Sequence, residues 1–66
     1  MNIKITVDGP LSPEIRRGKQ VFVLYVYANG EIIGEEVFKT LLERECSRTR
    51  VQTEWTSKIL KGLNEL

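Results

Sequence analysis

Residues 21–37 have the sequence Val-Phe-Val-Leu-Tyr-Val-Tyr-Ala-Asn-Gly-Glu-Ile-Ile-Gly-Glu-Glu-Val. An apolar, β-branched run is followed by Asn29-Gly30 and then by further apolar residues. Asn-Gly is the pair that best tolerates the positive φ angles of a type I′ turn, whose twist matches the strands that it joins. The pattern predicts a β-hairpin whose first strand is apolar on both faces.

A two-residue turn fixes the pairing of this hairpin, so that Val26 lies opposite Ile33. The pairing sorts the side chains onto two faces. The first face is uniformly apolar and is expected to form the core: Phe22, Leu24, Val26 and Ile33. The second face carries two tyrosines, whose hydroxyls need water or a partner: Val21, Val23, Tyr25, Tyr27 and Ile32.

The segments before the hairpin predict a strand and a loop. Residues 2–8 alternate between apolar and polar side chains, which is typical of a half-buried strand at a sheet edge. Residues 11–20 contain Pro13 and Gly18 and are expected to form a loop. This loop is long for a small domain, in which most connections have about 4 to 6 residues.

After Gly34 the apolar spacing changes to that of a helix. Val37, Phe38, Leu41, Leu42 and Cys46 favour an amphipathic helix over residues 35–47. Residues 49–55 alternate as a strand does, whereas Trp55 and the leucines after it form a helical stripe. We expect a connector over 48–52 and a second helix over 53–65, capped by Thr53.

The fold class is therefore α+β: an antiparallel sheet of three strands, in the order β-β-β-α-α, with helices packed on it. The chain has 66 residues, and we expect one domain over 1–66. A domain of this size buries only about 60% of its unfolded surface, so its stability is marginal. Because the chain has one cysteine and no histidine, neither a disulfide nor a zinc site is expected to stabilise the fold. Self-association as a homodimer is the remaining way to bury more surface.

The sequence offers little for catalysis. Histidine, the usual base for a nucleophile and the commonest metal ligand, is missing. Cys46 falls on the apolar stripe and is expected to be buried. Glu35 and Glu36 are expected to lie in the first turn of a helix, where carboxylates interact favourably with the positive end of the helix dipole. We expect no enzyme, no cofactor, no metal and no small-molecule substrate.

The start of the chain alternates instead of forming a basic and then apolar leader, and no stretch is long and apolar enough for a membrane helix. A cytoplasmic protein that does not enter membranes is the expectation, and the single thiol agrees with a reducing compartment. The net charge of +1 does not indicate a particular class of binding partner.

Two binding hypotheses follow. The first is a small regulatory or inhibitory protein that acts by contact with a second copy or another protein, using the second face and Trp55: Val21, Val23, Tyr25, Tyr27, Ile32 and Trp55. The second is a nucleic-acid-binding accessory protein, possible because basic side chains cluster in the loop and at the predicted helix end: Arg16, Arg17, Lys19, Arg48 and Arg50. The acidic residues near the hairpin turn argue against the turn entering a DNA groove.

Overall fold

The computed structural model describes residues 3–64 and confirms a small α+β domain. Four strands precede one helix. Their bounds are β1 Ile5–Asp8, β2 Glu14–Arg16, β3 Lys19–Ala28, β4 Glu31–Phe38 and α1 Leu41–Asn64. Residue 2 of the predicted first strand and residue 65 of the predicted last helix lie outside the described residues.

Strand β3 is the centre of the antiparallel sheet and pairs with all three other strands. Its C-terminal half pairs with β1 and its first three residues pair with β2. Strand β4 runs along the length of β3 from Phe22 to Ala28. The helix packs on β1, β3 and β4 and covers one face of the sheet.

The turns of both hairpins contain a residue and a glycine at positive φ. Asn29 and Gly30 have φ of 53° and 89°, as the Asn-Gly pair predicted. Arg17 and Gly18 have φ of 53° and 75° and form a second turn of the same kind. The predicted loop over 11–20 is therefore wrong in its second half, because β2 and the start of β3 occupy it.

The predicted register is correct next to the turn and shifts further away. Tyr27 pairs with Ile32 as expected, but a bulge follows, and Val26 pairs with Gly34 instead of Ile33. Ile33 is the extra residue and is 38% exposed, so its assignment to the core is wrong. Leu24 and Val26 are fully buried, as predicted.

The helical part of the chain differs most from the prediction. Residues 35–38 continue β4, and their exposure alternates as in a strand with one covered face. The helix begins after Thr40, whose Oγ1 accepts a hydrogen bond from the Glu43 amide at 3.1 Å. It then continues without a connector at 48–52, so the two predicted helices are one, and Thr53 lies inside it.

The core lies between α1 and the sheet. Five side chains form its buried centre: Ile5, Val7, Leu24, Val26 and Val51. Phe38, Trp55 and Ile59 pack against them. Val51 is fully buried, since it lies in the middle of the helix face that meets β1 and β3.

Candidate protein-binding surface

The helix covers only one face of the sheet, and the opposite face, here called the open face, has no helix on it. Directly opposed residues in antiparallel strands project to the same side. The register therefore places the following side chains on the open face: Thr6, Asp8, Glu14, Arg16, Lys19, Val21, Val23, Tyr25, Tyr27, Ile32, Glu35 and Val37.

The apolar residues of the open face differ in exposure. Ile32 is 59% exposed and Val37 is 48% exposed. Tyr25 and Tyr27 are half-buried. Val23 is only 1% exposed, so a partner cannot contact it without a rearrangement of its neighbours. The contact residues available on this face are therefore the two tyrosines, Ile32 and Val37, together with half-buried Val21.

Four polar side chains form a connected cluster on the open face. The Tyr25 hydroxyl donates to Glu14. Arg16 donates to Glu14 at 3.2 Å and also to Glu35, with which it forms an ion pair. The cluster links β2 to β4 although these strands do not pair with each other.

The cluster spans the part of β3 that contains Val23. Arg16 pairs with Lys19 and Glu35 pairs with Tyr25, six positions further along β3. Six residues of a straight strand span about 20 Å, which is more than the two side chains can bridge. Strand β3 must therefore bend toward the open face between these two positions, in the segment that contains buried Val23.

The same contacts shift the acid–base behaviour of the cluster. The hydrogen bond from Tyr25, followed by the neighbouring Arg16, lowers the pKa of Glu14 below its ordinary value. The bond to Glu14 raises the pKa of Tyr25. Hydrogen bonds to Glu35 and Glu14 raise the pKa of Arg16. All three shifts favour a charged carboxylate, a charged guanidinium and a neutral phenol, which is the state that holds the cluster together.

Trp55 does not lie on the open face. It extends from α1 onto Gly34 of β4, so closely that a Cβ atom at residue 34 would lie 2.6 Å from Trp55 Cζ2. Lys58 Nζ lies 5.1 Å from the centroid of the Trp55 ring. Together with Glu36 and Glu54, these two side chains line a cavity of about 260 Å³.

Three of the five candidate nucleic-acid residues take part in ion pairs within the chain. Arg16 pairs with two glutamates, as described above. Arg48 pairs with Glu45 at 3.2 Å, and Arg50 pairs with Glu54 at 3.1 Å. The other two, Arg17 and Lys19, are exposed at and beside the β2–β3 turn and have no ion pair among residues 3–64.

A row of polar side chains on α1 closes the edge of β1. Arg48 donates to the Val7 carbonyl at 3.2 Å, and Gln52 donates to the Ile5 carbonyl at 2.9 Å. Arg44 is one turn earlier on the same face, and the spacing of four residues brings all three onto one side of the helix. Unpaired carbonyls at a sheet edge invite pairing with other chains, and this row satisfies them.

Arg44 is fully buried and connects three parts of the chain. Its Nη1 donates to the Pro10 carbonyl at 2.6 Å and to the Val23 carbonyl at 3.3 Å. Val23 lies between the β3 residues that pair with β1 and those that pair with β2. Gly9 leaves room for the guanidinium, because a Cβ at this position would lie 2.7 Å from Nη1. The sequence does not reveal this role of Arg44, since the spacing of i, i+4 and i+8 alone does not identify a strand edge.

Cys46 is exposed, contrary to the expectation of burial, because the helix turns this position away from the sheet. No described helix is long and apolar enough to cross a membrane.

No protein-family model matches the chain, and comparisons with curated proteins and with solved structures find no significant match.

Proposed function

We propose that this chain is a small non-catalytic regulatory or inhibitory protein that acts by protein–protein contact through the open face, and that it associates there with a second copy of itself. The observation that supports the proposal most is the uncovered sheet face with Ile32 and Val37 about half exposed beside two tyrosines. Exposed apolar patches rimmed by polar groups are typical of interaction sites. Tyrosine is enriched in the contacts of such sites.

The size of the open face favours weak, reversible association. Strand β3 has ten residues and spans about 33 Å, and three strands are about 14 Å wide. The face therefore measures about 460 Å² in projection, compared with the roughly 800 Å² per partner of a standard interface. A dimer of this size is expected to dissociate on dilution.

The polar cluster gives such an interface a fixed surface. Because Arg16 is held by Glu14 and Glu35, its side chain needs little further ordering when a partner binds. Tyr25 is held by its bond to Glu14 in the same way. The exposed apolar contacts lie beside this rigid cluster, and the entropic cost of association is correspondingly small.

Sedimentation equilibrium with charge-introducing variants tests this proposal. Ile32→Glu places a carboxylate in the proposed interface and is expected to convert a concentration-dependent dimer into a monomer. Leu42→Glu is the matched control, because Leu42 is 75% exposed on α1 and lies away from the open face. Monomeric wild-type protein up to millimolar concentration, or equal effects of the two substitutions, would contradict the proposal.

Nucleic-acid binding is the second candidate function, and exposed Arg17 and Lys19 at the β2–β3 turn are the observation in its favour. Among the five candidate residues, these two cations provide few phosphate contacts, and Arg16, Arg48 and Arg50 would have to leave their ion pairs to contribute. If this function holds, a mobility shift at low salt should disappear steeply as salt is added, and replacing Arg17 and Lys19 by glutamine should abolish it. Absence of any shift at low salt would remove this candidate.

A further inference from the structure

In the described part of the chain, the side chains of α1 form hydrogen bonds to the outer edge of β1 but not to that of β4. The edge of β1 is closed by Arg48 and Gln52, which donate to its carbonyl groups. Among the side chains that the structure describes, none bonds to the backbone of β4, and the only backbone partner of β4 within residues 3–64 is β3. The outer edge of β4 is therefore available for pairing with another strand.

The part of this edge that can pair regularly is residues 34–38, beyond the bulge at Ile33. Opposed residues in an antiparallel ladder alternate between hydrogen-bonded and non-bonded pairs, and Ala28 and Glu31 are the bonded pair beside the turn. Continuing this alternation along β3 directs Gly34, Glu36 and Phe38 toward β3. The peptide groups of Glu35 and Val37 then point outward, where an added strand would meet them.

The charge of β4 indicates the chemistry of that added strand. The strand contains Glu31, Glu35 and Glu36 and no lysine or arginine. A second copy of β4 aligned antiparallel over most of its length would place glutamates opposite or diagonal to glutamates, which is unfavourable. A basic segment would complement the charge.

The cavity beside β4 supports the same conclusion. It is lined by an aromatic ring and two carboxylates, from Trp55, Glu36 and Glu54. Aromatic faces and carboxylates are the groups that bind ammonium and guanidinium ions. Lys58 already lies over the ring from within the chain. Glu36 has no ion pair in the described part of the chain, so a carboxylate remains available to an incoming cation.

The register places this cavity within reach of an added strand. Gly34 and Glu36 project to the helix side of the sheet, where Trp55 lies. A residue of the added strand opposite Glu36 would project to the same side, toward the cavity. Its neighbours in sequence would project to the open-face side, beside exposed Val37.

We propose that the outer edge of β4 binds an extended basic segment of a partner protein by strand addition, with a lysine or arginine side chain of that segment entering the cavity between Trp55 and Glu36. The segment alternates basic side chains toward α1 with apolar side chains toward the open face. This surface is the edge of β4, whereas the proposed dimer interface is the open face, and the two share Val37. Peptide binding and self-association are measured separately, so the two proposals can fail independently.

Binding of synthetic peptides tests the proposal, and the only tryptophan of the chain reports directly on the cavity. The probe is an alternating Arg-Val peptide of the length of β4, titrated while Trp55 fluorescence and the anisotropy of a labelled copy are followed. We expect saturable binding that weakens with added salt. The same peptide with glutamate for arginine, or with N-methylated backbone amides, should bind at least about tenfold more weakly.

Variants of the protein locate the site. Glu36→Gln should weaken binding of the arginine peptide about tenfold, which corresponds to about 1.4 kcal/mol. Glu43→Gln, which changes the net charge equally in the first turn of α1, should leave the affinity unchanged. Lys58→Gln should raise the affinity, because it removes the cation that competes for the Trp55 ring.

Circular dichroism of each variant confirms that the fold is retained. Failure of the arginine peptide to bind at millimolar concentration would overturn the proposal. Equal binding of the glutamate peptide, unchanged affinity in Glu36→Gln, or tight binding of a peptide with the sequence of β4 itself would also overturn it.

Discussion

Replacing Arg44 by methionine should destabilise the fold, because its guanidinium is the buried donor that joins α1 to β3 and to the segment after β1. The substitution keeps a long side chain but removes both hydrogen bonds, to the carbonyls of Pro10 and Val23. A buried acceptor left without a donor costs about 1 to 3 kcal/mol. The full cost applies to the Val23 carbonyl, because Val23 is only 1% exposed. Pro10 is exposed, so its carbonyl can form a hydrogen bond with water instead.

An opposing effect limits the loss. Arg44 Nε and Nη2 are buried without a hydrogen-bond partner in the described structure, and the nearest carboxylate, of Glu45, lies 3.6 Å from Nη2. Methionine removes this desolvation cost. We therefore expect a net loss in the lower part of that range, about 1 to 2 kcal/mol, for Arg44→Met, and of about 3 to 5 kcal/mol for Arg44→Ala, which adds a cavity. A domain of this length has a total stability of roughly 3 to 10 kcal/mol.

Urea unfolding followed by circular dichroism measures these losses. The matched control is Arg50→Met, because Arg50 makes only an exposed ion pair with Glu54 on the same helix. The control should lie within about 0.5 kcal/mol of wild type. If Arg44→Met were as stable as wild type or more so, the hydrogen bonds of Arg44 would be worth less than the cost of burying it, and its role as a connecting donor would be refuted.

Two further predictions concern the glycines and the polar cluster. Gly34→Ala should lower the thermal midpoint and cost about 1 to 3 kcal/mol, since the added methyl meets the Trp55 ring. Gly62→Ala should raise the midpoint, because nothing lies near that position and alanine favours the helix by about 1 kcal/mol. Stability should fall as the pH drops below about 4.5 through the lowered pKa of Glu14, and again as the pH rises above about 10 toward the raised pKa of Tyr25.

The signs of the pH effects follow from the direction of each shift. Glu14 binds its proton less tightly when folded, so its contribution is present above the unfolded pKa and is lost in acid. Tyr25 binds its proton more tightly when folded, so its contribution is present below the unfolded pKa and is lost in base. A Glu14→Gln, Tyr25→Phe double variant should lose both dependences, and a double variant with the wild-type pH profile would contradict this assignment. For the glycines, equal melting of Gly34→Ala and wild type would show that Trp55 does not pack on Gly34.

The sequence predicted what depends on local chemistry. Asn29-Gly30 fixes the turn through backbone conformation alone, and the uniformly apolar face opposite the two tyrosines correctly placed Leu24 and Val26 in the core. The bulge at Ile33 shifts the rest of the register, and no residue near it predicts a bulge. Gly34 lies beside the bulge, but the sequence does not show why a glycine is needed there. The structure shows that the Trp55 ring, which is distant in sequence, leaves no room for a side chain at this position.

The errors in the helix have a physical origin as well. Val37 and Phe38 precede Leu41 at a spacing that suits one helix face, but they pair with Val23 and Phe22 across the sheet. That pairing is a long-range interaction, which a local period does not detect. The strand-like alternation of residues 49–55 is likewise only a local pattern, because these residues belong to α1, where Val51 is buried and Gln52 donates to the Ile5 carbonyl.

We propose above that this protein associates with a second copy through the open face. A dilution series of methyl-labelled protein, followed by nuclear magnetic resonance, tests it directly, because side-chain methyl groups distinguish the two sides of the sheet. Dimerisation through the open face predicts concentration-dependent shifts of the Ile32 and Val37 methyl groups, with no change at Leu42 or Leu60 on α1. Shifts confined to the helix leucines, or no shifts at any concentration, would contradict it.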